Sequence, residues 1–347
     1  MASDQITVVG AGIAGLAAAW ELLRRGASVR VIEARAPGAG ASGGTVGALA
    51  PHAPENWNAK KEAQLRSLLA QPRFWAEVAE ASGRDPLYGG AGRVQPLADR
   101  AALERARARV EAAAAHWPAE KRMWLSRDAG GLALGSASGW YLHDNLTARI
   151  APRAAIAALS ASITARGGEI VTGTPAPGDM PAPVIWATGA EGLAALSADL
   201  GRAVGKGVKG QSALLGYDAK DAPQVFADGL HIVPHGDGTI AIGSTSETEF
   251  DDPASVDGQL DDLIAKARAI CPQLAAAPVI DRWAGLRPRA RSRAPLIGPW
   301  PGRAGHFVLN GGFKIGFGMA PVMAGWAADL VLEGKADLPK GFSVAEI

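Results

Sequence analysis

The sequence predicts an α/β fold made of two joined domains. Its 347 residues are more than one simple hydrophobic core usually holds. The chain opens with a β-branched run, a glycine-rich turn, an alanine-rich helix and a second strand, over 6–33. Short β runs fill the middle, over 212–244, and strands and helices alternate again towards the end. This order predicts a parallel-sheet domain built from separated segments, with a mixed-sheet α+β domain inserted between them.

Composition and charge narrow the classes of partner. The net charge is +1, so the chain has no strong field to hold nucleic acid or an anionic membrane. Cys271 is the single cysteine, and no Cys/His cluster has zinc spacing, so we expect neither an internal disulfide nor a metal site. The apolar run over 6–20 is interrupted by glycines and is shorter than the roughly 20 residues that span a bilayer. Because the N-terminus also lacks the cationic flank of a secretory signal, we expect a cytoplasmic protein with a small-molecule partner, no transmembrane segment and an oligomeric state left open.

The first βαβ unit is the most strongly marked part of the chain. Residues 6–9 form a β-branched run typical of a buried parallel strand. Residues 16–25 read as a helix, and Gly26 suits the position just after its end. Residues 29–32 then form a second strand that ends at Glu33.

Apolar spacing and turn residues predict the remaining elements. Leu65 and Leu68 have helical spacing, and Pro72 is expected to break or kink that helix. The glycine-rich turn at 236–238 suits a hairpin. Further helices are predicted around 103–110, 156–163, 260–267 and 320–332. Further strands are predicted at 169–172, 184–188, 213–215, 231–233, 239–242, 279–286 and 306–309.

The glycine-rich turn after the first strand predicts a Rossmann-like dinucleotide site. Gly10 permits the tight turn, Gly12 lets the backbone approach a pyrophosphate, and Gly15 lets the helix pack close to the strand. The helix N-terminus then offers free N–H groups to phosphate. Glu33 ends the second strand where an acidic side chain binds ribose hydroxyls, which disfavours the 2′-phosphate of NADP. The alternative is a glycine-rich turn that holds no ligand.

A second glycine-rich loop, over 37–47, favours a longer cofactor. Ala41 and Ser42 are placed to donate hydrogen bonds to phosphate, and the small residues that follow, through Gly47, Ala48 and Leu49, let a flat ring lie against the backbone. The alternative for this loop is a flexible surface segment, because composition does not separate the two.

The loop over 37–49 resembles the "GxGASxxxxG" segment of the D-amino-acid oxidase superfamily, which includes glycine oxidases, sarcosine oxidases and D-amino-acid dehydrogenases. Three further stretches agree with that family: 186–190 resembles its "ATG" segment, 231–247 its "xxVPxxxGxxxxGxTxE" hairpin, and 283–298 its "GxRPxxxDxxPxIG" segment. The resemblance covers nearly the whole chain, least clearly 50–140. The motifs are specific to the superfamily and not to a substrate.

The resemblance implies a Rossmann-like FAD-binding domain at 1–88, 146–210 and 286–347, with a substrate domain at 89–145 and 211–285. It implies FAD, which we expect to be bound without a covalent link because Cys271 lies at a helix end well before the "GxRP" segment. The residues predicted to bind it are Gly10, Gly12, Ile13, Ala14, Gly15, Glu33, Ala34, Arg35, Ala41, Ser42, Gly47, Ala48, Leu49, Ala187, Thr188, Gly189, Gly311, Gly312, Phe313, Lys314, Ile315 and Gly316.

Two cations are predicted to act on the substrate. Arginine binds a carboxylate with two parallel hydrogen bonds, and the resemblance implies that Arg287 clamps the substrate carboxylate. Its alternative is a surface arginine, which is how we interpret the arginines of the following segment, 289–293. Lys314 stands where glycine oxidases usually have arginine, and "GFK" resembles sarcosine oxidases instead. It is predicted to meet the substrate carboxylate or the flavin edge, and its alternative is a lysine facing solvent.

The resemblance implies oxidation of the carbon–nitrogen bond of a small amino acid or amine. Hydride passes from Cα to flavin N5, the imine hydrolyses, and oxygen or another acceptor takes the electrons. Glycine, a D-amino acid and an N-methyl amino acid all fit. The alternatives are a dehydrogenase that passes electrons to a quinone, an RNA-modifying flavoprotein, and a protein that keeps FAD only for structure.

Overall fold

The computed structural model of the chain describes residues 5–347; residues 1–4, on which part of the interpretation of the N-terminus rests, lie outside the described range. Within 5–347 the helices are α1 (Ile13–Arg24), α2 (Ala59–Ser82), α3 (Arg100–His116), α4 (Pro152–Ala165), α5 (Gly189–Asp199), α6 (Gly258–Ile270) and α7 (Gly316–Glu333). The strands are β1 (Ile6–Val9), β2 (Val29–Glu33), β3 (Ala48–Leu49), β4 (Arg93–Pro96), β5 (Met123–Ser126), β6 (Tyr141–Asp144), β7 (Ala148–Arg149), β8 (Glu169–Thr172), β9 (Val184–Trp186), β10 (Gly205–Gly216), β11 (Gln224–Ala227), β12 (Leu230–Pro234), β13 (Thr239–Gly243), β14 (Val279–Ala290), β15 (Leu296–Pro299) and β16 (His306–Asn310). No helix in this range is both long enough and apolar enough to cross a membrane.

The first sheet has six strands in the order β15-β16-β9-β1-β2-β8. β1 pairs in parallel with β2 and β9, and β9 pairs in parallel with β16. Every residue of β1 is buried, as expected for a central parallel strand with both faces covered, and α1, α4 and α7 pack against strands of this sheet. The carboxyl ends of β16, β9, β1 and β2 therefore meet at one edge.

The second sheet has eight strands in the order β14-β10-β13-β12-β11-β4-β6-β5. Its pairs are antiparallel except for β4 with β11, and α6 covers it with Leu260, Ile264 and Ala267. The predicted α/β class with a mixed second sheet is confirmed. The predicted domain boundaries at 210/211 and 285/286 fall inside β10 and β14, so this division of the chain stays a proposal.

Prolines do not limit α2 and α7 in the way that the sequence predicts. α2 continues through Pro72 without a break. Proline removes one intrahelical hydrogen bond, the one to the carbonyl of Leu68 four residues back, and the ring of Pro72 itself lies on the exposed side of α2. α7 begins at Gly316, before the predicted start at 320, and contains Pro321.

A buried glutamine on α2 replaces the hydrogen bond that Pro321 removes from α7. The N–H missing at Pro321 would have bonded to the carbonyl of Phe317, four residues back. Gln71, which is fully buried, donates from Nε2 to the Phe317 carbonyl at 3.1 Å and to the Gly318 carbonyl at 3.0 Å. Its own carbonyl accepts from Trp75 Nε1 at 2.6 Å. The first turn of α7 is therefore held by a side chain of another helix.

We expect Gln71→Leu to lower the free energy of unfolding by about 1–3 kcal/mol, the usual cost of leaving buried polar groups unsatisfied. In a Pro321→Ala background the restored N–H can bond to the Phe317 carbonyl, so the same substitution should cost less. Denaturant unfolding of the parent, both single variants and the double variant measures this coupling. An equal loss in both backgrounds would show that Gln71 does not replace the missing donor.

Candidate nucleotide and substrate site

The predicted cofactor residues converge on one edge of the first sheet. Residues 10–15 follow β1, residues 33–35 end β2, residues 187–189 follow β9 and residues 311–316 follow β16. Because these four strands are parallel neighbours, their carboxyl ends form the crevice in which open α/β sheets bind ligands. Segments up to about 300 residues apart in sequence are thus brought together.

The glycines of the first turn are required by close backbone approaches. Gly10 has φ +103°, and a Cβ there would lie 2.5 Å from the Ala187 carbonyl oxygen. A Cβ at Gly15 would lie 1.9 Å from the Gly10 carbonyl oxygen. Any larger residue at either position would push α1 away from β1 and β9.

The N-terminus of α1 fits a pyrophosphate. Gly12 is the N-cap, no side chain of its own caps the helix, and the first turn has no acidic residue. Ser42 Oγ, on the neighbouring loop, accepts from the Ile13 N–H at 2.9 Å. Positive dipole and free N–H groups therefore remain available to an anion at this end, beside the Ser42 hydroxyl.

Glu33 is fixed at the same edge by backbone donors. Its carboxylate accepts from the Ala11 N–H at 2.7 Å and from the Arg35 N–H at 3.1 Å. It is only partly buried, and Ala34 and Arg35 are exposed. A carboxylate oriented in this way retains lone pairs for a ribose hydroxyl.

Backbone contacts hold the second glycine-rich loop. The Gly38 N–H donates to the Ala11 carbonyl at 2.9 Å. A Cβ at Gly44 would lie 3.3 Å from the Trp283 ring, and one at Gly47 only 1.7 Å from the Ile150 carbonyl oxygen. Residues 41–43 form a short 3-10 turn, and 48–49 pair with 148–149. The loop thus leads from the edge of the first sheet towards β14.

Residues 311–316, the last segment predicted to bind the cofactor, border the crevice at the end of β16. Asn310 Nδ2 donates to the Gly189 carbonyl at 2.8 Å and so joins the ends of β16 and β9. Gly311 has φ +76°, Phe313 has φ +42°, and a Cβ at Gly316 would lie 3.5 Å from Ile13. Gly312 and Ile315 complete the turn, and Ile315 caps α7 without a side-chain bond. The N-termini of α7 and α1 therefore lie side by side.

Arg287 is buried on β14, with 8% of its surface exposed, so it is not a surface arginine. Nη1 donates to Ser244 Oγ at 2.6 Å, and Nη2 donates to the carbonyls of Thr245 at 2.6 Å and Lys209 at 3.3 Å. Nε is buried and has no partner. Burial lowers the pKa of Arg287 to about 10, against the opposing charge of Glu247, so the group is charged at neutral pH. Its role as the carboxylate clamp stays a prediction.

A polar network of the buried Lys209, Gln211 and Glu247 with the exposed Asp257 supports the acceptors of Arg287. Glu247 lies 3.6 Å from the Lys209 ammonium, and Asp257 lies 3.3 Å from it. Gln211 Nε2 donates to Glu247 at 3.1 Å and to Asp257 at 2.8 Å, and the Gln211 N–H donates to Thr245 Oγ1 at 2.8 Å. These bonds fix the chain that carries the Thr245 carbonyl, and thereby the orientation of the guanidinium.

Three cations surround one aromatic ring beside Arg287. The Phe313 ring centroid lies 5.8 Å from the guanidinium carbons of Arg287 and Arg289, and 5.7 Å from Lys314 Nζ. Lys314 is exposed as a residue, yet partial desolvation of its ammonium, followed by the charges of Arg287 and Arg289, lowers its pKa. Arg289, interpreted from the sequence as a surface charge, is half-buried and shares one face of β14 with Arg287, because a strand places residues two apart on the same face.

Two further titratable side chains, His231 and Cys271, have shifted pKa values. His231 Nδ1 is buried without a partner, and burial, with the charges of Arg93 and Lys314, lowers the pKa of His231 to about 4, so its imidazole is neutral near physiological pH. Cys271 is fully buried at the end of α6, and burial raises its pKa to about 12. A thiol in that state is chemically inert. Within 5–347, no group of His, Cys, Asp and Glu has an arrangement that could hold a metal ion.

Comparison with known proteins agrees with this geometry. The family model described as FAD dependent oxidoreductase matches residues 5–330. A glycine oxidase of Pseudomonas aeruginosa is 38% identical over 125 residues, covering 36% of this chain and 34% of that protein. A bifunctional ThiO/ThiG protein of Trichormus variabilis is 27% identical, covering 96% of this chain and 53% of that protein. The crystal structure of glycine oxidase from Geobacillus kaustophilus has a TM-score of 0.84 at 22% identity, covering 99% of both chains.

The chain spans only part of the first curated relatives that it matches, namely 34%, 39% and 53% of their lengths. The structural likeness, at 22% identity, shows the fold alone. Substrate and activity therefore need arguments from the site itself.

We expect Glu33→Ala to weaken FAD binding by about 1.5–3 kcal/mol, the range for hydrogen bonds to a charged group. Titration of the apoprotein with FAD measures the dissociation constant. Glu80→Ala, at an exposed position of α2, is the matched control and should bind FAD as the parent does. If Glu33→Ala also binds FAD as tightly as the parent, Glu33 does not contact the cofactor.

Proposed function

The chain belongs to the D-amino-acid oxidase family of FAD-dependent oxidoreductases, and we propose that it oxidises the carbon–nitrogen bond of a small amino acid or related amine. The observation that carries this proposal is Arg287, a charged guanidinium buried beside the cofactor crevice with its Nε unpaired. A buried cation without an ion-pair partner is costly, and a substrate carboxylate would satisfy it. The glycine oxidases among the relatives support an amino acid as substrate.

The fold supplies a fitting place for FAD without a covalent bond. The N-terminus of α1 with Ser42 would hold the pyrophosphate, and Glu33 would hold the ribose. The small residues 43–48 and the turn 311–315 would border the flavin ring. The bound flavin supplies the acceptor for the hydride that leaves the carbon next to nitrogen.

The chain's own residues orient the substrate. Arg287, kept in place by Ser244 and Thr245, binds the carboxylate and thereby fixes the direction of the Cα–H bond. Lys314 approaches from the turn before α7 and adds a second positive charge. His231 stays neutral near physiological pH, so it does not repel the substrate amine if that amine arrives protonated. The imine product hydrolyses in water.

Anaerobic mixing with glycine, sarcosine and D-alanine tests the proposal. At least one of these amines should bleach the flavin absorbance. Aerobic assays for hydrogen peroxide and for reduction of a dye then separate an oxidase from a dehydrogenase. A flavin that no amine bleaches would mean that FAD has a structural role or serves another reaction.

Removal of Arg287 should raise the Michaelis constant on the order of a hundredfold or more, since loss of a buried charged partner costs about 2–5 kcal/mol. The variants to compare are Arg287→Ala and Arg287→Lys. The lysine variant should have an intermediate Michaelis constant, because it keeps the charge but not the two parallel hydrogen bonds. Arg291→Ala, at an exposed position, is the control. Steady-state kinetics on the best amine decides; unchanged kinetics in Arg287→Ala would place the clamp elsewhere.

Lys314→Met separates a substrate contact from a flavin contact. We expect it to raise the Michaelis constant and to leave the flavin midpoint potential nearly unchanged. A contact with the flavin would instead lower the potential, and 30 mV on a two-electron couple corresponds to about 1.4 kcal/mol. Potentiometry beside single-turnover reduction distinguishes the two, and no change in either would mean that Lys314 faces solvent.

A further inference from the structure

The cation cluster formed by Arg287, Arg289 and Lys314 around Phe313 carries three positive charges, whereas a single substrate carboxylate carries one negative charge. Over 5–347, none of these three side chains lies within ion-pair distance of an Asp or Glu, whereas two other buried cations do: Arg93 lies 2.9 Å from Asp144, and Lys209 lies 3.3 Å from Asp257. Lys314 is exposed and Arg289 is half-buried, so solvent screens part of their charge, but three cations around one ring still repel one another, and an anionic ligand between them would relieve this repulsion.

The neighbouring carboxylates do not neutralise this cluster. Glu247 and Asp257 both contact Lys209, and Glu247 is also the carboxylate whose charge acts on Arg287. Neither carboxylate forms an ion pair with Arg287. Among the described residues, Arg287, Arg289 and Lys314 therefore all lack a carboxylate partner, and each lies against the Phe313 ring.

Arg289 and Lys314 lie a short distance from Arg287. Arg289 lies two residues after Arg287 on β14, on the same face of the strand, which corresponds to about 7 Å along it. Lys314 lies next to Phe313 in the turn that precedes α7. One ligand group bound at Arg287 and another bound between Arg289 and Lys314 would thus belong to one small molecule.

We propose that the substrate is an amino acid with a second carboxylate, and that Arg289 and Lys314 bind this second carboxylate while Arg287 binds the first. The inference rests on the proposed amine oxidation, and the bond that breaks is the same one; the second carboxylate is bound and not altered. N-carboxymethyl amino acids and acidic amino acids belong to this class. Arg289 is then the residue that determines specificity.

Binding without turnover tests the proposal on the FAD-loaded protein. Oxydiacetate carries two carboxylates and an ether oxygen in place of the amine, and methoxyacetate carries one carboxylate on the same skeleton. We expect oxydiacetate to bind at least about tenfold more tightly, the effect of one further hydrogen-bonded charge, as measured by perturbation of the flavin spectrum or by calorimetry. Arg289→Gln should abolish this preference and leave methoxyacetate binding unchanged, and Arg289→Lys should restore part of it. Arg291→Ala should retain the full preference.

Equal binding of the two ligands, or a preference that survives in Arg289→Gln, would overturn the proposal. A midpoint potential that falls in Arg289→Gln, with the ligand preference intact, would assign this charge to the flavin instead. Turnover of iminodiacetate beside sarcosine keeps the two proposals distinguishable. If sarcosine reduces the flavin and neither iminodiacetate nor D-aspartate is better, amine oxidation stands and the second carboxylate site falls. If none of iminodiacetate, D-aspartate, sarcosine, glycine and D-alanine reduces the flavin while oxydiacetate is still preferred, the dianion site stands and amine oxidation falls.

Discussion

The close approach of α1 to β1 and β9 is the constraint on which the rest of the site depends. It requires that Gly10 and Gly15 have no side chain, because their backbone atoms meet each other and Ala187. Parallel pairing places the ends of β2 and β9 at one edge, and this packing places the N-terminus of α1 at the same edge. Gly10 and Gly15 are thus required by the packing of the fold, and this packing leaves the positive end of the α1 dipole exposed at the edge of the sheet.

Arg287 shows how the fold stabilises a charged side chain in a buried position. Burial of a guanidinium is unfavourable unless its N–H groups are hydrogen-bonded. The structure satisfies Nη1 and Nη2 with neutral oxygen atoms of Ser244, Thr245 and Lys209. A glycine at position 210 makes room, since a Cβ there would lie 1.7 Å from Nη2. Neutral acceptors keep the arginine charged without cancelling its charge, which is what binding of an anion requires.

Local signals were sufficient for the elements formed by local interactions. β1, the glycine turn, Gly26 and the second strand follow from hydrophobic period and turn chemistry, and the structure has β1 at Ile6–Val9, α1 at Ile13–Arg24 and β2 at Val29–Glu33. The start of α7 was not predictable in this way, because the donor that replaces the Pro321 N–H is Gln71, 246 residues away. The position of Arg289 was not predictable for a different reason: the sequence predicts this strand to end at 286, and only the pairing of β14 with β10 as far as Ala290 shows that Arg289 shares the face of Arg287.

The contact of Gln71 with the first turn of α7 also links the stability of the fold to the chemistry of the site. Gln71 holds the first turn of α7, and that turn directly follows Phe313 and Lys314. Phe313 has a left-handed backbone conformation, φ +42°, which costs about 1–3 kcal/mol for a residue other than glycine. Its N–H is held by the Pro288 carbonyl at 3.1 Å, between Arg287 and Arg289 on β14. The turn is therefore fixed from α2 at one end and from β14 at the other, and this double attachment is what keeps the ring, and the cations around it, at the mouth of the crevice.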